Sequence, residues 1–466
     1  MELSLERKLL NQTEKELKHK GLPIVKRDVK IGRGGPDLVG YTLDNDGNEE
    51  VQVVVEVKEK PEPAAQQQLM KYVQGIKAPY ALLVFPDNKY WFEGNTFLPI
   101  NEPEFESKQL FITKDDLIER TGWEALEGIR GYLPSEQYGK VMAHSLLVRA
   151  YLSAQNQIDR WVKIENFQHF KDMLLEASKF YRVDIQHVNY ELQSEQLVTF
   201  LNKLSVLPPI HSALRWLIMK CFEVNKPIIG QFNAPTHLRE LYVGLVKQLD
   251  FEKGSVVDLA SGYGSIAFDV IEANNILNLV GFEVYHETCI ISKIIAIVTG
   301  INAFEVNCAD SIREQEQLQT NTFSLTLLDP PLAGKYDLPE EIRSNYILAQ
   351  KRVDLTDLFI EKAVNVTKPG GYIVMLTPES TLFSEKYGNT REFIKEKTII
   401  ESIVSLPPHT LKPYTSVKLS VLVLRKKKEE NESADEVFLA RADSVEDFKD
   451  IVKGFSQWKK GGLPNG

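Results

Sequence analysis

From Gln231 onward, short apolar runs alternate with longer stretches of helical period. The runs Ser255–Ala260, Leu277–Val284, Phe304–Ala309, Phe323–Leu328, Tyr372–Thr377, Ile399–Leu406 and Leu419–Leu424 read as buried strands, since parallel strands covered on both faces are apolar throughout. With helical crossovers between them, they predict a doubly wound, seven-stranded α/β domain over residues 231–466. Residues 105–230 carry helical periodicity with few strand signals, as in Val141 to Trp161 and Phe167 to Phe180. They predict a central helical domain, broken near its end by Pro208-Pro209 and Pro227. Residues 1–104 mix both patterns. A charged amphipathic helix from Leu3 to Lys18 precedes strands at Asp37–Tyr41, Val51–Val57 and Tyr80–Phe85, with a helix from Ala64 to Gly75 before the last. The polar run Asp44 to Asn48 between the first two strands predicts a hairpin turn.

Several acidic residues fall at the predicted strand ends of the C-terminal domain. Val256-Val257-Asp258 runs into Ala260-Ser261-Gly262-Tyr263-Gly264, a strand entering a glycine turn and then a helix. Glu283 ends the next strand, and Asp310 ends the third. Strand, glycine turn, helix and distal acid form a nucleotide-cofactor pattern. Any one of these acids alone reads as an ordinary strand-end residue; their recurrence on consecutive strands points to a site. A dinucleotide enzyme competes for the glycine turn. The turn Asp329-Pro330-Pro331-Leu332 after the fourth strand favours methyl transfer to an amino group instead. The Asp329 carboxylate and the Pro330 carbonyl can both accept hydrogen bonds from a target amine, which aligns its lone pair for in-line attack. An aromatic in the fourth position would stack on an extruded base, an interaction worth roughly 1–3 kcal/mol. Leu332 offers apolar contact without a π face. The stacking partner then comes from elsewhere, with Tyr336 and Tyr346 as candidates, or the site is slow or inactive.

Residues 110–460 resemble the adenine-N6 methylation subunit of type I restriction–modification systems and its nuclease-fused relatives. Besides the motifs above, Phe232-Asn233-Ala234-Pro235-Thr236 sits where that family has a Thr-Pro motif at the cofactor mouth. Ile403 to Pro408 followed by Thr415 to Leu424 matches its late hairpin. The resemblance implies S-adenosylmethionine as cofactor, with Asp258 at its amino-acid end, Glu283 on the ribose hydroxyls, Asp310 on the adenine amine, and Ala260, Gly262, Gly264, Pro235, Thr236 and Asp329 around it. The departures are Asp329 for the usual Asn, Leu332 for the aromatic, and Ser261-Gly262-Tyr263-Gly264 for the usual Cys-Gly-Ser-Gly.

A second pattern lies near the N-terminus. Asp37 follows Pro36, and Glu56 and Lys58 stand two apart on one predicted strand, hence on one face. Two carboxylates, Asp37 and Glu56, can hold Mg2+, and a lysine can orient or deprotonate the attacking water. Gln68 and Tyr72 share a helix face four residues apart. Glu-x-Lys alone reads as a solvated strand face; with Pro-Asp before it and Gln-x-x-x-Tyr after it, the segment resembles the PD-(D/E)xK nuclease superfamily. That resemblance implies a restriction-endonuclease-like α/β fold, with Glu6 completing the metal shell.

Composition adjusts this picture only slightly. A net charge of −10 argues against coating of DNA by bulk charge, but not against contact through a local basic groove. The three cysteines, Cys221, Cys289 and Cys308, show no metal-ligand spacing and read as reduced, buried thiols of a cytoplasmic protein. No apolar run is long enough to span a membrane. The expectation is thus a bifunctional restriction–modification protein acting on double-stranded DNA, combining Mg2+-dependent cleavage with adenine-N6 methylation. About forty residues follow the last predicted strand, too few for target recognition, so a separate specificity subunit is expected. The alternatives are a degenerate methyltransferase that binds S-adenosylmethionine or serves as a scaffold, and a methyltransferase acting on RNA or protein.

Overall fold

The computed structural model describes residues 5–20, 22, 24–27, 29–30, 34–43, 49–105, 114–223, 233–313, 315–332, 336–350, 352–411, 415–434 and 436–461. The hairpin turn expected at 44–48, Pro227 and Phe232 lie outside the described residues. The chain divides into two compact units, residues 1–113 and 114–466.

In the first unit, strands β1 (Ile24–Arg27), β2 (Leu38–Leu43), β3 (Glu49–Val57), β4 (Tyr80–Val84), β5 (Lys89–Glu93) and β6 (Pro99–Ile100) form one sheet in sequence order. Only β3 and β4 pair in parallel, because the helix Pro63–Ile76 crosses between them. Pro63 begins that helix, where its missing N–H costs nothing, and Lys77 ends it in the left-handed region. Alternation along β3 sorts its side chains between two cores. Val53, Val55 and Val57 pack with Leu17 of the helix Leu5–His19, whereas Val54 packs with Leu69 and Val73 of the crossover helix. By the same alternation Glu56 faces the crossover-helix side.

The second unit begins with helices. Tyr138–Ala154 is buried on nearly every side, enclosed among Ile158–Lys163, Phe167–Tyr181, Ala213–Glu223 and His286–Thr299. Its core runs without a break into one face of the following sheet, from Ile118 to Phe455, so the helical segment and the sheet fold as one body. The sheet has eight strands where the sequence predicts seven: β7 (Val256–Asp258), β8 (Leu279–Phe282), β9 (Phe304–Asn307), β10 (Phe323–Leu328), β11 (Thr367–Pro378), β12 (Thr398–Ser405), β13 (Leu419–Lys426) and β14 (Phe438–Arg441). The unpredicted β14 is a four-residue edge strand whose alternating half-exposed pattern gives no apolar run to read. Their order is β14-β12-β13-β11-β10-β7-β8-β9, and only β13 runs antiparallel to its neighbours. The helix Phe448–Lys459 that follows β14 packs on Thr236–Val246. A Cβ at Gly244 would come within 2.6 Å of Val452, so only glycine permits that approach.

The expected reduced cysteine pair is instead a disulfide, Cys289–Cys308, with 5.5 Å between Cα atoms. Nineteen residues separate the two, but the βα crossover lays the start of His286–Thr299 against the end of β9. Cys221 remains a free, buried thiol.

A buried charge cluster joins three helices of the second unit. Asp269 accepts from Arg239 Nε and Arg215 Nη2, both at 2.8 Å, and Arg215 also reaches Glu272 at 3.0 Å. Both guanidinium groups lie over Trp216. Removing one partner of a buried ion pair strands the other charge in a low-dielectric interior. Asp269→Ala is therefore expected to lower stability by about 3–5 kcal/mol in urea denaturation; a loss under about 1 kcal/mol would show that water reaches Arg239 freely.

Candidate active site

The crevice lies where the strand order reverses. β7 is followed on one side by β8 and β9 and on the other by β10, and ligands of open α/β sheets bind beyond the carboxyl ends at such a switch point. Register carries four acids there. Asp258 pairs with Leu327 on one side and Gly281 on the other, so Asp329 and Glu283 lie two residues past it on the flanking strands. Glu283 N–H donates to Asn307 O, which places Asp310 three residues further along. All four acids line one cavity of about 430 Å³.

The glycine turn forms the cavity floor. Gly264 has φ +84°, and a Cβ there would meet Phe268 and Phe304 at 2.7 Å, so the turn must tighten at a glycine before the helix Ser265–Asn274 can start. Gly264 itself supports the turn from behind; Ala260 and Gly262 face the cavity. Glu283 is clasped by backbone donors, accepting from Gly262 N–H at 3.0 Å and Tyr285 N–H at 2.7 Å. Asp258 accepts from Ala260 N–H at 3.1 Å. Asp329 Oδ1 is covered and has no partner among the described residues. Its turn is held from behind by Tyr242, whose hydroxyl donates to Leu328 O at 2.9 Å. Sequence reading missed Tyr242, which belongs to no motif and is recognisable only once Thr236–Val246 is seen packed under β10.

Burial drives the electrostatics. It pushes Asp329 up to about 7. Burial, opposed by the Ala260 N–H and aided by the charges of Asp329 and Glu283, also takes Asp258 to about 7. Burial raises Glu283 as well, against the Tyr285 and Gly262 donors. Burial thus disfavours ionisation of Asp258, Glu283 and Asp329.

Other expected site residues stand elsewhere. Pro235 and Thr236 do not line the cavity; Ala234 does. Thr236 Oγ1 instead accepts from Arg239, which also donates to Ala234 O at 2.8 Å. Pro331 lines the cavity with Asp329, while Pro330 and Leu332 do not; Leu332 is half-buried against the main core. Neither tyrosine proposed to replace its ring is free for that task. Tyr346 is 4 % exposed and donates to Ile312 O, and Tyr336 donates to Asp310 Oδ2 at 2.6 Å.

The model for N-6 DNA methylases matches residues 212–454, more than half of the chain. The chain belongs to the N-6 DNA methylase family. It is 21% identical over 260 residues to the methylase subunit of the EcoEI type I restriction enzyme of Escherichia coli, covering 51% of this chain and 52% of that one; it thus spans about half the length of that relative. Its fold is that of solved methyltransferases. It superposes on the methyltransferase subunit of a type I restriction–modification system from Streptococcus thermophilus with TM-score 0.56, 13% identity, 74% of this chain and 94% of that one. It superposes on a Listeria monocytogenes protein assigned to the class I S-adenosylmethionine-dependent methyltransferases with TM-score 0.51, 18% identity, 69% and 99%. Neither superposition speaks to the nuclease-like fold expected for residues 1–104.

The cavity of this N-6 DNA methylase family member suits S-adenosylmethionine. Asp258 and the unpartnered Asp329 oxygen match a molecule with an ammonium and a sulfonium, Glu283 matches two ribose hydroxyls, and Asp310 matches an amine.

The first unit gathers its expected residues too. Asp37 Oδ2 accepts from Val57 N–H at 2.7 Å, between Glu56 and Lys58. Lys58 Nζ lies 2.8 Å from Glu56 Oε1, and Glu56 Oε2 is buried without a partner among the described residues. Burial, with Lys58 opposing and Asp37 and Glu6 assisting, raises the Glu56 pKa. Burial works against the Lys58 ammonium, but Glu56, Asp37 and Glu6 together raise its pKa. Gln68 Nε2 donates to Tyr72 Oη at 3.0 Å on the crossover helix. Glu6 is exposed and acts on this group through its charge. Among the described residues no three His, Cys, Asp or Glu side chains are grouped to hold a metal.

The raised carboxylates set a pH dependence. Above about pH 4 an unfolded Asp loses its proton, while native Asp258 and Asp329 keep theirs to about 7. Stability from these groups therefore falls as pH rises across that window. A cationic ligand favours the ionised forms, so binding releases protons. S-adenosylmethionine affinity is expected to rise between pH 6 and 7, by up to roughly tenfold per pH unit for each proton released, and to level off above about 8. Calorimetry in buffers of different ionisation enthalpy measures the protons directly; pH-independent affinity would remove both carboxylates from the ligand's surroundings.

Proposed function

We propose that the chain transfers a methyl group from S-adenosylmethionine to adenine N6 in double-stranded DNA, as a modification subunit that relies on a separate specificity subunit to choose its target. One observation carries the reading: Asp329, which has a buried oxygen with no partner among the described residues, lines the same cavity as Asp258, Glu283 and Asp310. The cofactor supplies an activated methyl group on a sulfonium, a leaving group that demands little acid–base strength. Asp329 accepts a hydrogen bond from the target amine and localises its lone pair, with the Pro330 carbonyl as second acceptor. Tyr242, by holding Leu328 O, fixes where that carboxylate stands. The partner is supported by the likeness to type I methylase subunits.

Leu332 makes this a weak stacking site, because Tyr336 is engaged at Asp310 and Tyr346 is buried on Ile312. With the partner and cognate DNA supplied, Asp329→Ala is expected to abolish transfer even at saturating S-adenosylmethionine. Leu332→Phe should raise transfer by about 5- to 150-fold, the equivalent of roughly 1–3 kcal/mol of stacking realised in the transition state. Radiolabel partitioned among DNA, RNA and protein identifies the acceptor. A native protein that binds cofactor but transfers to none of the three, and that Leu332→Phe does not awaken, would instead be a degenerate scaffold.

A second activity, Mg2+-dependent cleavage of DNA, is proposed for the first unit. It is favoured by the meeting of Asp37, Glu56 and Lys58, with one buried Glu56 oxygen left unpaired among the described residues, and by Gln68 and Tyr72 bonded to each other on the crossover helix. Asp37 and Glu56 would hold the ion, and Lys58 would orient the attacking water. Lys58→Ala should eliminate Mg2+-dependent nicking in a plasmid assay and leave S-adenosylmethionine binding intact, since the two sites belong to separate compact units. Cleavage that survives Lys58→Ala would rule the assignment out.

A further inference from the structure

Tyr336 follows the Asp-Pro-Pro turn in sequence, yet its side chain lines the cavity at Asp310. Asp310 is held on both oxygens. Its Oδ1 accepts from Ile312 N–H at 3.0 Å, and its Oδ2 accepts from Tyr336 at 2.6 Å, with Arg313 Nε 3.4 Å from that same oxygen. Tyr346 reinforces the same turn from beneath, donating to Ile312 O at 2.5 Å. Burial, then the bond to Asp310, pushes the Tyr336 phenol up to about 12, so at neutral pH it is always a donor. A carboxylate has about four acceptor directions; Ile312 and Tyr336 take two, Arg313 stands near a third, and Asp310 still faces the cavity. The apolar wall around it includes Ala309, Leu355 and Phe359, which excludes competing water from a planar base.

We propose that Tyr336 is a positioning residue for the cofactor's purine: by fixing the orientation of Asp310, it makes the cavity select a 6-amino over a 6-oxo base. The amino group donates to the free Asp310 acceptor, whereas a 6-oxo group would set oxygen against carboxylate with no proton between them. Sites built to receive a hydrogen bond reject analogues that cannot supply it far more strongly than apolar pockets reject a missing methylene. The inference rests on the S-adenosylmethionine reading of this cavity, and it moves Tyr336 from the acceptor side to the cofactor side.

The test is calorimetry on the full chain with S-adenosylhomocysteine and its 6-oxo counterpart, S-inosylhomocysteine. The native protein should prefer the amino form by tenfold or more, on the order expected for one hydrogen bond to a charged group. Tyr336→Phe keeps the ring and removes only the donor. It should reduce the preference to within about threefold with no change in melting temperature, and Asp310→Ala should erase it. An unchanged ratio in Tyr336→Phe would overturn the proposal, as would an equal loss of affinity for both ligands, the signature of a merely structural role. Failure of the native protein to bind either compound would strike the cofactor reading itself, a result distinct from both.

Discussion

Four carboxylates at the ends of adjacent parallel strands are the constraint around which the second unit is built. β10, β7, β8 and β9 each deliver one acid to the crevice opened by the reversal of strand order. In-register pairing of β7 with β8 and β10 sets their spacing. Like charges in a covered space repel, and burial adds to the penalty. The surrounding structure answers locally, with backbone N–H donors at Glu283, Asp258 and Asp310, and Asp329 is left without one. Asp329 thus carries the largest unsatisfied electrostatic demand at the crevice, in the form of a buried oxygen with no partner among the described residues.

Positioning of these groups is distributed over elements that carry no motif. Tyr242 holds the backbone before Asp329, and Arg239 ties Ala234 and Thr236 to Asp269 beside the glycine turn. Trp216 lies under both arginines. The helical segment thus braces the cavity mouth through buried side chains rather than through contact with a ligand. That is why its core is continuous with the sheet's.

Much of this was legible in the sequence, and the failures have physical causes. The apolar runs of β7, β8, β10, β11 and β13 are largely buried on both faces, so composition alone marks them; β14 is a half-exposed edge and leaves no such trace. The acids at 258, 283, 310 and 329 were readable because strand ends are marked by the strands themselves. Pro235 and Thr236 were assigned by position in a motif, but the helix beginning at Thr236 turns that hydroxyl toward Arg239 and leaves Ala234 facing the cavity. Tyr336 and Tyr346 are close in sequence to the acceptor turn, and sequence proximity suggested proximity to the acceptor. The fold returns both to the end of β9. The Cys289–Cys308 bond was invisible for the same reason, since only the crossover brings its ends together.

The helix Phe448–Lys459 seals the surface of Thr236–Val246, with Val452 seated at Gly244. The element at the cavity mouth is therefore completed by chain that leaves the ribosome long after it. Synthesis proceeds at roughly 5–20 residues per second, so a nascent chain holds this apolar groove open for about ten seconds or more before its cover exists. Contacts of such sequence separation slow folding and prolong exposure of sticky surface. The architecture that shelters the crevice in the finished molecule thus makes its assembly a late event, and places the period of greatest aggregation hazard during translation.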